Sequence, residues 1–222
     1  MRVYHLLPET HALDDLKRRR LKVSRVQDMN DPFELLSLSL KQPEHRRAIR
    51  DLKADFDKEW GALCFSHGWT NPVLWSHYAD KHRGMCLGFD VPDKKTLPMS
   101  YDGRRVELDI ERELSRRAGP FELVRKLMTT KYRDWKYERE ARILVSLKKA
   151  DPETGFFFCK FGPQLALREV IVGARSALSK SEVQAALSSK DAHATIVKAR
   201  LAFKTFRIVP RRDDRWWTTS AA

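Results

Sequence analysis

Short apolar runs recur along the chain at the length and alternation of single β-strands. Fewer segments carry apolar residues at helical spacing, so strands and helices do not alternate as they do in a doubly wound parallel sheet. The sequence therefore predicts an α+β fold with a mixed, mostly antiparallel sheet and peripheral helices. The strand-like runs are residues 3–7, 21–24, 61–65, 84–91, 141–147, 156–161, 169–173, 194–201 and 203–209.

The length of 222 residues suits one generous domain. We expect a single α+β domain over residues 1–210. Within it, residues 42–60 form a helical insertion, because Ile49, Phe56 and Trp60 recur at helical spacing. Residues 211–222 are expected to be a basic C-terminal tail, in which Trp216 and Trp217 dock on the domain.

The sequence has neither the targeting segments nor the cysteine pattern expected of an exported protein. No run approaches the roughly 20 apolar residues that a membrane span requires, and the N-terminus lacks the apolar core of a signal peptide. We expect a cytoplasmic protein without membrane contact. Its three cysteines, Cys64, Cys86 and Cys159, are odd in number and widely spaced, which favours buried reduced thiols over disulfides or a zinc site.

The formal charge of +13 is high for a chain of this size. Such a surplus attracts polyanions, so DNA or RNA is an expected partner. The basic residues are spread along the chain and form no known recognition motif, so a merely basic, soluble protein is the alternative.

Two carboxylates, Glu138 and Glu140, precede an apolar alternating run and stand among arginines that include Arg142. In an extended chain Glu138, Glu140 and Arg142 share one face. They are then either a ladder of ion pairs or the lining of a polar cleft, in which burial and mutual repulsion would raise the pKa of one carboxyl group. The spacing alone leaves both interpretations open.

Other polar and aromatic residues lie where the predicted elements end. His5 on the first strand is a candidate ligand contact or a structural histidine, and Ser66 is a candidate site residue or a turn hydroxyl. Trp75 and Tyr78 share a helix face, as a core stripe or as a platform for a planar ring.

Common catalytic motifs do not occur in the sequence. There is no P-loop, no dinucleotide fingerprint, no hydrolase elbow and no zincin motif. No metal site is predicted, although Asp31, Glu34 and Asp90 would suit a metal-dependent nuclease if the fold brought them together.

Several segments taken together resemble the bacterial family known as domain of unknown function 2971, from near residue 2 to about residue 209. The Asn-Asp-Pro-Phe-Glu run at residues 30–34 and the Trp-x-x-Tyr-Ala run at residues 75–79 are the most specific of them. The others are Tyr4-His5, Cys64-Phe65-Ser66 and residues 13–21, 84–90, 131–144 and 169–173.

The order of elements is also similar to that of the ADP-ribosyltransferase superfamily, especially its nucleic-acid-modifying branches. This resemblance implies that the protein uses NAD as substrate and that Glu140, which begins a core strand, is the catalytic carboxylate. Glu138 is then its positioning partner or forms an ion pair with an arginine, and Arg142 is among the basic residues that meet the pyrophosphate. His5 would hold a ribose, while Tyr78 or Trp75 packs on nicotinamide and Ser66 competes for that role.

The function implied is that of an NAD-dependent ADP-ribosyltransferase-like enzyme acting on nucleic acid, with a toxin or phage-defence role by analogy. The alternative is a nucleic-acid-binding or interaction module of a defence system that performs no chemistry.

Overall fold

The computed structural model describes residues 1–115, 117, 119–213 and 217. Its strands are β1 (Arg2–Leu7), β2 (Arg20–Lys22), β3 (Trp60–Ser66), β4 (Met85–Asp90), β5 (Leu97–Pro98), β6 (Ser100–Asp102), β7 (Thr130–Tyr132), β8 (Glu140–Ser146), β9 (Phe158–Lys160), β10 (Ala166–Val172), β11 (Thr195–Leu201) and β12 (Ile208–Pro210). Its α-helices are α1 (Glu9–Arg18), α2 (Pro43–Glu59), α3 (Pro72–Tyr78), α4 (Ile110–Ser115), α5 (Gly119–Met128) and α6 (Lys180–Ala186).

The main sheet has eight strands in the order β12-β11-β10-β4-β1-β3-β8-β5. Strand β1 is antiparallel to β3 and β4, and β4 is antiparallel to β10. Strands β10 and β11 are parallel, and α6 lies between them in the sequence. The predicted α+β class with a mixed, mostly antiparallel sheet is therefore confirmed.

The chain packs as two compact units, and the single domain expected over residues 1–210 stays a prediction. The first unit comprises Met1–Leu21, Phe65–Lys94 and Cys159–Ala222, and the second comprises Lys22–Cys64 and Lys95–Phe158. Part of the predicted basic tail, residues 214–216 and 218–222, lies outside the described residues.

The first unit is built on the long antiparallel pair of β1 and β4, which runs in register from Arg2 opposite Asp90 to Leu7 opposite Met85. Apolar side chains of β1 and β4 and of helix α1 are fully buried. Ser179 and Glu182 form the capping box predicted for α6. Trp217 docks as expected, since it is buried and its Nε1 donates to the Leu178 carbonyl at 2.8 Å.

The second unit has its own apolar core, which helices α2 and α5 share. Residues 42–60, expected as a helical insertion, contain α2, and its Ile49 and Phe56 are buried in this core. The helix ends at Glu59, so Trp60, which was expected on it, instead begins β3. Leu123, Leu127 and Met128 of α5 pack there as well. The spacing of these residues explains both helices, because each buries one apolar stripe and leaves charged side chains outside.

The structure also bears on the state of the cysteines and on whether a helix could span a membrane. The three cysteines form no disulfide; Cys86 is buried as expected, whereas Cys64 and Cys159 are only half-buried. Burial raises the pKa of the Cys86 thiol. Within the described residues, none of the helices has the length and apolar character needed to span a membrane.

A buried carboxyl group on α1 makes the folding of the first unit depend on pH. Burial raises the pKa of Asp15 to about 7; the charge of Asp14 adds to this, and Arg20 opposes it. An unfolded aspartate titrates near about 3.9, so folded Asp15 binds a proton that the unfolded chain has lost. The stability contributed by neutral Asp15 is complete below about pH 4 and is lost as pH rises to about 7.

We therefore expect Asp15→Asn to raise the free energy of unfolding at pH 8 by on the order of a few kcal/mol, and to change it little at pH 4. Urea unfolding at both pH values measures this. Asp51→Asn, at an exposed carboxylate on α2, is the matched control and should give the same small change at both. Equal effects of the two variants at pH 8 would contradict the prediction.

Candidate functional site

The segment with Glu138 and Glu140 is not one continuous strand. Residues Arg133–Glu138 form a 3₁₀ helix, and Arg139 has a left-handed backbone with φ of 46°. Strand β8 begins only at Glu140. The strand spacing predicted for the two glutamates is therefore wrong, because the left-handed residue turns the chain between them.

The two carboxylates nevertheless meet, because Lys131 of β7 bridges them. The Lys131 Nζ donates to Glu138 Oε2 at 2.6 Å and to Glu140 Oε2 at 3.1 Å. The same ammonium lies 4.8 Å from the centre of the Trp135 ring. The backbone N–H of Glu140 donates to the Tyr101 hydroxyl at 2.7 Å, which fixes the start of β8.

Arg142 joins a third carboxylate to this cluster. Its Nε donates to Glu140 Oε1 at 2.6 Å, and its Nη1 donates to Glu34 Oε2 at 2.8 Å and to the Met128 carbonyl at 3.0 Å. Its Nη2 donates to the other oxygens of both carboxylates. All five hydrogen atoms of the guanidinium are thus used. We call Glu34, Lys131, Glu138, Glu140 and Arg142 the charge network.

The charge network is buried: Arg142 is 1% exposed and Glu140 is 6% exposed. Burial alone would raise the pKa of Glu140, but the charges of Arg142 and Lys131 outweigh it, so the pKa lies below its ordinary value. Burial likewise opposes the charge of Lys131, yet Glu140 and Glu138 raise its pKa. When all five groups are ionised, three carboxylates face two cations, and the network has a formal surplus of one negative charge.

A pocket of about 350 Å³ opens in the second unit beside the charge network. Small-molecule sites begin at about this size. Glu34 and Lys131 belong to its wall, and the other lining residues are Asp31, Phe33, Leu36, Ser37, Asp102, Gly103, Arg104, Arg105, Thr130 and Tyr132. The pocket therefore combines carboxylates, cations and aromatic rings.

Several lining groups have capacity for a ligand. Among the described residues, the Asp31 carboxylate accepts a hydrogen bond from the Phe33 N–H at 2.9 Å and has no cation partner. The buried Ser37 hydroxyl has no hydrogen-bond partner there. Arg104 and Arg105 are exposed, and the Arg105 guanidinium lies 5.3 Å from the Phe33 ring centre. The pocket can thus accept hydrogen bonds from hydroxyl groups and bind an anion.

The candidates His5 and Ser66 lie in the first unit. The His5 ring meets the Phe65 ring edge to face, with 5.8 Å between centroids. Ser66 is buried, and its hydroxyl donates to the Gly68 carbonyl at 2.9 Å and accepts from the Gly68 N–H at 3.2 Å. The Ser66 hydroxyl thus forms the hydrogen bonds of a turn. A ligand could bind this hydroxyl only by replacing its hydrogen bonds to Gly68.

Trp75 and Tyr78 also lie in the first unit, on α3. Trp75 is fully buried, its Nε1 donates to the Trp69 carbonyl at 2.6 Å, and the His82 ring stacks on it with centroids 6.4 Å apart. A planar ligand could stack on Trp75 only if this core packing opened. Tyr78 is half-buried, with its ring beside that of His77.

The carboxylates considered for a metal-dependent nuclease are held in different ways. Asp31 and Glu34 lie in the second unit, whereas Asp90 in the first unit is bound by Arg2 and Arg168. In the part of the chain that the structure describes, no group of three His, Cys, Asp or Glu side chains is placed to hold a metal ion.

Sequence reasoning missed Glu34 and Lys131 as members of one site with Glu138 and Glu140. Glu34 is 108 residues from Arg142, so no local spacing connects them. A signal was nevertheless present in the Asn-Asp-Pro-Phe-Glu run, which places two acidic side chains on a tight turn. Both of them, Asp31 and Glu34, are buried and line the pocket.

Removing the central cation should destabilise the second unit. In Arg142→Met, three buried carboxylates share Lys131 alone, and breaking a buried charge network in this way costs about 3–5 kcal/mol. Adding Glu34→Gln should recover part of that loss, because it removes one unpaired charge. Chemical denaturation measures both, with Arg139→Met as the exposed control that changes stability little. A loss in Arg142→Met as small as that in the control would refute the network as a structural centre.

Comparison with known proteins gives a family for part of the chain. No curated protein and no solved structure matches it. The model of the family described as protein of unknown function (DUF2971) matches residues 74–143, a segment that holds four of the five residues of the charge network. This match, which covers less than half of the 222 residues, supports the DUF2971 family for the chain.

Proposed function

We propose that the protein binds NAD in the pocket of the second unit and transfers its ADP-ribose group to an acceptor, for which nucleic acid is the leading candidate. One observation carries the proposal: two arginines, two aromatic rings and two buried carboxylates line the same pocket. A dinucleotide offers matching groups, namely phosphates, planar bases and ribose hydroxyls.

Each lining group has a role that its chemistry suits. Arg104 and Arg105 bind the pyrophosphate by charge-assisted hydrogen bonds. Phe33 and Tyr132, which are 53% and 48% exposed, offer rings on which a base or nicotinamide stacks. Asp31 and Ser37 accept and donate hydrogen bonds to ribose hydroxyls.

The reaction needs negative charge next to the ribose. The bond between ribose C1′ and the nicotinamide nitrogen breaks, and its electron pair neutralises the positive ring of the leaving nicotinamide. The ribose gains oxocarbenium character, which a fixed carboxylate stabilises. The acceptor's nucleophilic atom then bonds to C1′ and releases a proton to solvent.

The charge network supplies that negative charge. Its surplus carboxylate is held by Arg142 and Lys131 in one orientation, so little reorganisation is needed during the reaction. Glu34 lies in the pocket wall, and Arg142 connects it to Glu140, the carboxylate that the family resemblance favours. We therefore assign charge stabilisation to Glu34 and Glu140 together. Glu138 holds Lys131, and the roles of His5 and Tyr78 remain predictions from the resemblance.

The test is to incubate purified protein with NAD labelled in its adenylate phosphate and with single-stranded DNA, RNA or protein. Nicotinamide release and transfer of the label are measured separately. We expect Glu140→Gln and Glu34→Gln each to slow nicotinamide release by about a hundredfold, because either change removes the surplus charge. Asp57→Asn, at another buried carboxylate of the second unit, is the control for folding. Absence of both NAD consumption and transfer would refute the proposal.

Replacing the two arginines should weaken NAD binding and spare the chemistry. For Arg104→Gln/Arg105→Gln we expect KM for NAD to rise about tenfold or more while kcat changes little, since these side chains contact phosphates and not the reacting ribose. Steady-state kinetics of nicotinamide release measures the two constants. Arg47→Gln/Arg139→Gln, at two exposed arginines outside the pocket lining, is the control of equal charge change. A fall in kcat at unchanged KM would contradict the assigned role.

A second candidate is a nucleic-acid-binding module without chemistry, and the surplus charge of +13 favours it. It predicts salt-dependent binding of nucleic acid that Glu140→Gln leaves unchanged. Either function suits a toxin or phage-defence setting, which the resemblance suggests by analogy.

A further inference from the structure

The loop between β11 and β12 carries two phenylalanine rings that have no place in the core. Phe203 is 91% exposed and Phe206 is 98% exposed, and Leu201 beside them is exposed as well. Among the large apolar residues that the structure describes in the first unit, these two are the most exposed. Exposed apolar groups that cluster indicate a binding surface, whereas single ones do not.

The loop is held firmly at its base. The backbone pairs of β11 and β12 continue to Leu201 opposite Ile208, and the Ala202 N–H then donates to the Arg207 carbonyl at 2.9 Å. The Ile208 N–H and the Arg207 guanidinium donate to the carbonyl and hydroxyl oxygens of Thr70 at 2.8 and 3.0 Å. Only the four residues from Phe203 to Phe206 project beyond these bonds. We call this four-residue segment the aromatic tip.

The aromatic tip stands in a purely cationic stretch of sequence. Residues 195–212 hold six basic residues and no acidic one. Lys204 lies between the two rings, Arg207 follows the second, and the Arg200 guanidinium lies over the Phe203 ring at 4.6 Å from its centre. Phe203 therefore has a cation over its face, and each ring has a basic residue next to it in the sequence.

We propose that the aromatic tip binds single-stranded nucleic acid, with Phe203 and Phe206 stacking on bases and Lys204 and Arg207 facing phosphates. Exposed rings interleaved with cations are the combination that single-strand-binding surfaces use, because every base has a face to stack and every nucleotide has a charge. The surface deepens the proposed function by naming where the acceptor binds, and it rests on that function only for the acceptor's chemical class.

A lipid surface is the main competitor, and the Arg200 contact argues against it. Since the guanidinium covers one face of Phe203, that ring cannot enter the acyl region without carrying a charge with it. A base needs only the opposite face of the ring. Pairing of two aromatic tips from two copies of the chain would bring like charges together, which is unfavourable.

The test measures binding of a fluorescently labelled 20-nucleotide oligothymidylate to the full chain by anisotropy, without NAD. A duplex of the same length and vesicles containing phosphatidylserine are measured alongside. We expect Phe203→Ala/Phe206→Ala to weaken oligothymidylate binding by about tenfold for each ring removed, with the salt dependence unchanged. Lys204→Gln should instead lower the slope of log affinity against log salt by about 0.7.

The control is Phe121→Ala, which removes an exposed ring of the second unit and should leave binding unchanged. Equal affinity of the double variant and the native chain for oligothymidylate overturns the proposal. The proposal is also overturned if the double variant loses vesicle binding or self-association but still binds oligothymidylate as the native chain does. Nicotinamide release in the absence of nucleic acid should be the same in the double variant, so failure of this surface is distinguishable from failure of the proposed reaction.

Discussion

The second unit depends on one buried guanidinium. A charge taken out of water is tolerated only when each of its donors finds an acceptor, and Arg142 has five. Those acceptors come from the turn that holds Glu34, from the end of α5 and from the first residue of β8. Three segments far apart in sequence are therefore fixed around one side chain. Lys131 extends the arrangement to β7 and Glu138.

Stability by itself does not account for this arrangement. Well-packed apolar side chains of the same volume often replace a buried ion network without loss of stability. A fixed set of charges has a different advantage, because its field is already oriented when a ligand arrives. Two members of the network, Glu34 and Lys131, form part of a pocket wall, which is where such a field acts on a ligand.

The sequence predicted those features that depend on interactions between residues close together in the chain. The alternating runs gave β1, β4 and β10, and the Ser179 and Glu182 spacing gave the cap of α6, because the interactions responsible lie within a few residues. The left-handed Arg139 could not be anticipated, since arginine carries no signal for that conformation. The contact between Glu34 and Arg142 could not be predicted from local patterns, because only the tertiary fold brings these two residues together. Trp75 could not be assigned from the sequence for a related reason. Aromatic residues have the same spacing on a helix whether they are buried in the core or stack on a ligand.

The pocket is lined by side chains of both charges. The chain as a whole is strongly basic, yet the charge network has one more carboxylate than cations and is buried. Arg104 and Arg105, exposed at the same pocket, are of the opposite sign. A ligand with phosphates at one end and hydroxyls or a cationic ring at the other would match both kinds of side chain, whereas a simple anion or a simple cation would match only one of them. A positively charged nicotinamide ribose joined to a pyrophosphate has that polarity, and this is why we propose NAD, rather than a nucleotide without the cationic ring, as the ligand of the pocket.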